Sequence, residues 1–371
     1  MELLGKSLED LQAYCQALGQ PAFRGRQIYH ALYAERQMDL AAVSNLPAAL
    51  RTRLSSEARV TLPTVRRRYQ SADGSVRYLF GLSVPEGQGR MKATSVEAVF
   101  MPSDGRQTIC ISTQAGCAVD CRFCLTAQLG LIRNLTPGEI VAQVLLPLAE
   151  MERAGTEAAA DTLNGGGLSA RTNVVLMGQG EPLLNFDNVF AALRILLDKD
   201  GFGLSPKHVT LSTSGIVPGI DRMAEEHVRP KLAISLNASN DQQRDALMPI
   251  NRKYPLKDLI AASRNYPLRN WEHLTFEYVM LGGVNDSPED ARRVVRLLAP
   301  LKRVKVNLIP WNPGELPYKE TAAERLEEFR KILTDRGVPA FVRYSRGRDV
   351  MAACGQLALK EVTDSPLKVI A

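Results

Sequence analysis

Three cysteines stand in the run Cys117-Ala-Val-Asp-Cys121-Arg-Phe-Cys124. Three thiolates so spaced can each hold one iron of a cubic iron–sulfur cluster and leave the fourth iron without a protein ligand. A structural zinc site needs four ligands, and none of the four histidines (His30, His208, His227, His273) is near in sequence. Three buried structural cysteines are the plainer alternative. Four small polar clusters could complete a binding site. In Gly178-Gln-Gly180-Glu181-Pro182 the glycines permit close backbone approach, and Glu181 can accept from a ligand ammonium. The others are Ser212-Thr-Ser-Gly215, Ser235-Leu236-Asn237 and Asn307-Leu-Ile-Pro-Trp-Asn312-Pro313. Each alone is ordinary turn chemistry.

What makes them a set is the pattern of elements that carries them. From about residue 107 the chain alternates strand and helix patterns. The strands are expected at Thr108–Ser112, Asn173–Met177, His208–Ser212, Lys231–Ser235, Leu274–Met280 and Lys305–Ile309. Several read as near-continuous β-branched or aliphatic runs, as parallel strands buried on both faces do. Thr136-Pro-Gly-Glu139 and Ser287-Pro-Glu-Asp290 are helix starts with Pro in the first turn and an acid at the third position. Six βα units imply an open or partial barrel of parallel strands whose chemistry belongs at the strands' carboxyl ends. The cysteine run and the four polar clusters all fall on that rim, which is far less expected of unrelated turns. An Ala/Gly-rich insert, Gly155–Asn173, interrupts the first crossover and reads as a surface loop rather than a phosphate cradle.

Ahead of the barrel, residues 1–60 read as helices. Ser7-Leu-Glu-Asp10 resembles a capping signal, with Leu11, Tyr14, Cys15 and Leu18 at helical spacing, and further helices are expected over Gly25–Glu35 and Leu46–Leu54. Cys15 on that apolar face reads as core. Two β-like runs flank Ala72-Asp73-Gly74, where Asp-Gly marks a hairpin turn. The expected architecture is therefore α/β. A helical N-terminal domain (1–60) and a β-hairpin extension (61–106) precede a partial (βα)6 barrel (107–345) and a C-terminal segment (346–371).

Composition sets the outer bounds. The 371 residues are 45% hydrophobic and 23% charged, ordinary for a soluble globular chain. No apolar run approaches the roughly 18–20 residues needed to span a bilayer, and the start shows acids in place of a signal-peptide stretch. Six cysteines, three of them crowded together, point away from a secreted disulfide framework and toward a reducing cytoplasm. Residues 1–100 hold 13 Lys+Arg against 9 Asp+Glu and so supply +4 of the net +6. Arg51, Arg53, Arg59 and the run Arg66-Arg67-Arg68 crowd there, as a docking face for a polyanion would, or as a solvated basic face.

The cysteine pattern resembles the signature of the radical-SAM superfamily. That resemblance implies a [4Fe–4S] cluster whose open iron chelates S-adenosyl-L-methionine (SAM), so that one electron cleaves SAM to a 5′-deoxyadenosyl radical. Longer stretches resemble the RlmN/Cfr family of RNA adenine methyltransferases, RlmN most closely. They are Phe23-Arg-Gly-Arg-Gln-Ile28, Gly116 to Leu135 around the cysteines, Leu247-Met-Pro-Ile-Asn-Arg-Lys-Tyr254, and Ser345-Arg-Gly-Arg-Asp-Val-Met-Ala-Ala-Cys-Gly-Gln-Leu357. The similarity runs from about residue 7 to 359, with Ala353-Cys354-Gly355-Gln356 its most distinctive element.

By position, the resemblance implies cluster ligation by Cys117, Cys121 and Cys124. It implies SAM contacts from Gly180, Glu181, Ser212, Ser235, Leu236, Asn237 and Asn312. Gln179 stands where Met is usual, a change expected to be neutral, and Asn237 where His is common. The adenine carbons C2 and C8 are electron-poor and cannot attack the methyl of SAM, whereas a cysteine thiolate can. The family mechanism has Cys354 take a methyl from one SAM, which a second SAM's radical activates for addition to the ring. Glu97 corresponds to the acceptor of the ring proton, and Cys110 to the thiol that releases the covalent adduct. Read alone, Glu97 is a surface acid and Cys110 a core cysteine. The implied substrates are an adenosine in 23S ribosomal RNA and the adenosine beside the tRNA anticodon. C2 is the expected position and Cfr-like C8 the alternative, with flavodoxin or ferredoxin as electron donor. Two other classes stay open: a non-catalytic zinc or cluster RNA-binding protein, and a radical-SAM enzyme acting on a small molecule or protein.

Overall fold

Six aliphatic runs alternate with helices, so they pair in parallel and need a crossover between each pair. A computed structural model describes residues 1–83, 94–103, 105–153 and 172–359. The six expected strands are β4 (Arg106–Cys110), β7 (Thr172–Leu176), β8 (Val209–Thr213), β9 (Lys231–Ser235), β10 (Leu274–Met280) and β11 (Val304–Pro310). They pair in parallel in that order.

Two features go beyond the expectation. A seventh parallel strand, β12 (Ala340–Val342), follows β11. The hairpin region is a three-stranded antiparallel meander, β1 (Thr64–Gln70), β2 (Val76–Leu82) and β3 (Thr94–Ser103), whose last strand pairs with β4. One ten-stranded sheet results. The reading of strands buried on both faces holds for β10, where every residue but Val279 is buried, and not for β11. In β11, Val304, Val306 and Leu308 are buried under helices, while Lys305, Asn307 and Ile309 alternate onto a half-exposed inner face. A barrel that does not close leaves that face open to solvent.

The helix starts are built as their residues dictate. Ser7 and Ser287 each accept from the backbone N–H three residues on, and Asp10 and Asp290 reach back to the capping residue. Thr136 and Glu139 make the same exchange at the head of Pro137–Arg153. The N-terminal helices run over Leu8–Ala17, Phe23–Tyr33 and Ala48–Glu57, each displaced by up to a few residues from its expected limits. Their buried residues, Cys15 and Leu54 among them, join one apolar cluster with barrel residues such as Val174 and Leu211. The insert's glycines, Gly165 to Gly167, and the C-terminal segment beyond Leu359 lie outside the described residues. No described helix is long and apolar enough to cross a membrane.

Candidate active site

The carboxyl ends of the strands and the cysteine run line one cavity, about 980 Å³ of space that opens to solvent. Cys117, Cys121 and Cys124 line it together. Their loop is framed by a short hairpin, β5 (Gln114–Gly116) against β6 (Leu131–Asn134), and the Cys117 N–H donates to the Gly130 carbonyl at 3.0 Å. Gly180, Glu181, Ser212, Ser235, Asn237, Asn312 and Cys354 line the same cavity. Gly178 must be glycine, because a Cβ there would come within 2.8 Å of the Ile111 carbonyl oxygen.

Glu181 is 3% exposed and is tied down by its own fold. Its Oε1 accepts from Leu183 N–H (3.0 Å) and the Thr213 hydroxyl (2.8 Å), and its Oε2 from Ser214 N–H (2.7 Å). Burial nonetheless raises its pKa. Asn237 holds a left-handed conformation (φ 55°) that Asn tolerates better than most residues. Its Oδ1 accepts from Val279 N–H at 2.8 Å. Leu236, expected among the SAM contacts, is fully buried in the core with its N–H donated to the Glu277 carbonyl and its carbonyl accepting from Arg244, so it is not on the cavity wall.

Cys354 is held at the cavity by its neighbours. Asn312 Nδ2 donates to the Cys354 carbonyl (3.1 Å) and the Ser345 hydroxyl (2.9 Å), so this amide grips the segment. Leu125 N–H donates to the Gly355 carbonyl, and the Thr126 hydroxyl to that of Leu357. The Cys354 side chain keeps solvent access. Desolvation, then the carboxylate of Glu277 and the thiol of Cys124, push its pKa up to about 11.

Cys110 and Glu97 are not on the cavity wall. Cys110 lies in a separate apolar cluster with Tyr69, Leu79, Val350, Ala352 and Leu357, between the meander and the Cys354 segment. Burial and then the neighbouring Cys354 raise its thiol pKa. Glu97 is no surface acid: it is 0% exposed and paired with Arg77, itself 1% exposed.

The sequence matches the radical SAM superfamily over residues 111–298 and the ribosomal RNA large subunit methyltransferase N-terminal domain over residues 1–60. It is 48% identical to the "Probable dual-specificity RNA methyltransferase RlmN" of Koribacter versatilis (strain Ellin345), covering 94% of this chain and 99% of that one. The chain belongs to the RlmN family. A second RlmN, from Anaeromyxobacter sp. (strain Fw109-5), is 46% identical over 96% of this chain and 90% of its own. The crystal structure of a radical SAM methyltransferase from Sphaerobacter thermophilus superposes with a TM-score of 0.85 at 42% identity, covering 96% of this chain and 99% of that one.

The cofactors of this superfamily are a [4Fe–4S] cluster and SAM, and the RlmN-family cavity fits them. Its wall offers three thiols, yet no three His, Cys, Asp or Glu side chains among the described residues converge to hold a single metal ion. A cluster that gives each thiolate its own iron suits that spread. Burial raises the thiols of Cys117 and Cys121, and binding iron as thiolates removes the proton that burial favours.

Three groups went unread in the sequence. Glu277, on β10, lines the cavity and accepts from the Ser212 hydroxyl at 2.6 Å. Strand alternation from Thr275 could have placed it there. Arg244 is fully buried and donates to the carbonyls of Ser214, Ser235 and Leu236, joining the rim loops that follow β8 and β9. Gln179, standing where Met is usual, contacts Glu97 through both its amide oxygen and its amide nitrogen, which a Met side chain could not do.

Proposed function

We propose that this chain is a radical-SAM RNA methyltransferase that methylates C2 of an adenosine in 23S ribosomal RNA, and of the adenosine beside the anticodon in tRNA. The observation that carries the reading is the placement of Cys354 on the same cavity as the three loop cysteines, with Cys110 clustered with Val350, Ala352 and Leu357 of the segment that carries it. The residues 1–60, which match a ribosomal RNA methyltransferase domain, favour RNA over a small molecule or protein. The setting is the cytoplasm, with a flavodoxin or ferredoxin as electron donor.

Cys117, Cys121 and Cys124 would hold the cluster, with Gly180, Glu181, Ser212, Ser235, Asn237 and Asn312 around SAM. When bound, these groups supply an electrophilic methyl and a radical that activates it. The chain's residues do the rest. The Cys354 thiolate accepts the methyl and carries it to the adenine carbon, leaving a sulfur–carbon–ring adduct. Glu97 takes the ring proton, and the one electron released as the ring regains its aromaticity would go to the bound cluster. The Cys110 thiolate then attacks the Cys354 sulfur. A disulfide forms, and the electron pair of the broken S–C bond stays with the carbon, which is protonated to methyl.

The direct test is anaerobic reaction of reconstituted enzyme with 23S fragments and with tRNA, followed by mass spectrometry of the digested nucleosides. 2-Methyladenosine is expected from both. 8-Methyladenosine would overturn the C2 assignment, and SAM consumption indifferent to RNA would overturn the RNA reading.

A further inference from the structure

A fully buried carboxylate is costly unless fixed donors compensate it. Glu97, on β3, has such donors. Arg77 on β2 lies one pleat away diagonally, since Leu79 is the residue opposite Glu97. Its guanidinium pairs with Glu97 Oε1 and stacks over the Tyr69 ring at 4.2 Å. Oε2 accepts from the Leu359 N–H at 3.0 Å and faces Gln179 Nε2 at 3.4 Å. Gln179 Oε1 accepts from the Glu97 backbone N–H at 3.2 Å, so one amide holds both ends of the residue. The amide is fixed in turn. Gln179 N–H donates to the Ser112 hydroxyl at 2.7 Å, and that hydroxyl donates to the Glu97 carbonyl at 2.6 Å.

We propose that Gln179, backed by Arg77, is a positioning residue that keeps Glu97 ionised and aims Oε2 as the proton acceptor for release of the RNA adduct. This rests on the reading that Glu97 takes the ring proton. Oε1 is committed to Arg77, so the proton goes to Oε2. That oxygen is capped by the N–H of Leu359, so the segment that carries Cys354 also contacts the base. Burial opposes ionisation of Glu97 and Arg77 favours it. The Gln179 Nε2–H adds a donor that the charged form accepts more strongly than the neutral acid.

Removing that donor disfavours the carboxylate, so Glu97 holds its proton to higher pH and less base is present at any fixed pH. The test uses the full-length, cluster-reconstituted enzyme with Gln179→Met, which nearly preserves volume. Expected are unchanged iron content, unchanged methyl uptake on Cys354 and unchanged KM for RNA. The acid limb of kcat should move up by about one pH unit, so turnover falls by up to about tenfold on the acid side of the limb and little on the plateau above it. Covalent protein–RNA adduct should accumulate and resolve on raising the pH. Arg77→Lys, which keeps the charge but loses the planar fork, should shift the limb in the same direction. An unshifted limb with no adduct in Gln179→Met overturns the inference. Glu97→Gln separates the two levels: if it turns over like the parent, the base assignment itself is wrong, whatever Gln179→Met does.

Discussion

At the scale of single residues, the chemistry depends on which thiol is ionised. In the proposed reaction Cys354 takes a methyl as a thiolate, and desolvation within the cavity, then the nearby Glu277 and Cys124, hold its pKa at about 11. Below that value each pH unit multiplies the thiolate fraction about tenfold. Methyl uptake by Cys354 in a single turnover should therefore rise by roughly that factor per unit between pH 7 and 9. Intact-protein mass spectrometry at timed intervals measures it, and a flat profile would mean that a neighbouring base, not solvent, takes the thiol proton. Glu277→Gln removes a charge that raises the thiol's pKa, so uptake near neutrality should quicken.

At the scale of elements, the Cys354 segment is docked by the turn of the β1–β2 hairpin. Asp349 accepts from the Ser71 hydroxyl (2.6 Å) and the Ala72 N–H (3.0 Å), and Asp73 accepts from the Gly347 N–H (2.8 Å). Burial would raise the Asp73 carboxyl, but hydrogen bonds from Ser75, Gly347 and Ser71 outweigh it and hold it at about 2. The docking these carboxylates give is present above about pH 4 and lost as pH falls toward 2. Asp349→Ala should weaken docking by about 1 kcal/mol after allowance for solvent screening. Faster limited proteolysis between residues 345 and 359, with little change in Tm, is the expected result. Equal cleavage rates would show that the turn does not hold the segment. Here lies the boundary of what the sequence made legible. The barrel strands and the cysteine loop announce themselves through local periodicity and spacing. The Asp73–Gly347 and Glu97–Gln179 contacts join residues separated by 274 and 82 positions and leave no local trace. The strand β12 spans three residues, too short for any period to register.

At the scale of the whole molecule, RNA must be gripped by a surface with surplus positive charge. The Arg66–Arg68 run divides on inspection. Arg68 makes a part-buried pair with Glu150 and so serves the fold, whereas Arg66 and Arg67 are exposed on β1. Arg66→Ala with Arg67→Ala should weaken RNA binding and lower the slope of log affinity against log salt by about 0.7 for each phosphate no longer neutralised. An unchanged slope would make this strand a solvated face. Arg68→Ala should instead lower Tm, because it leaves Glu150 without its partner.

In the proposed reaction Cys354 carries the methyl and Cys110 releases the product. This division is tested most directly by mixing Cys110→Ala enzyme with RNA, SAM and reductant under anaerobic conditions, then denaturing and separating the products. A ribonuclease-sensitive band of slowed mobility is expected, mapped by peptide mass spectrometry to Cys354 and absent from Cys354→Ala. A folded, cluster-replete Cys110→Ala enzyme that forms no such band would contradict the assignment of both roles.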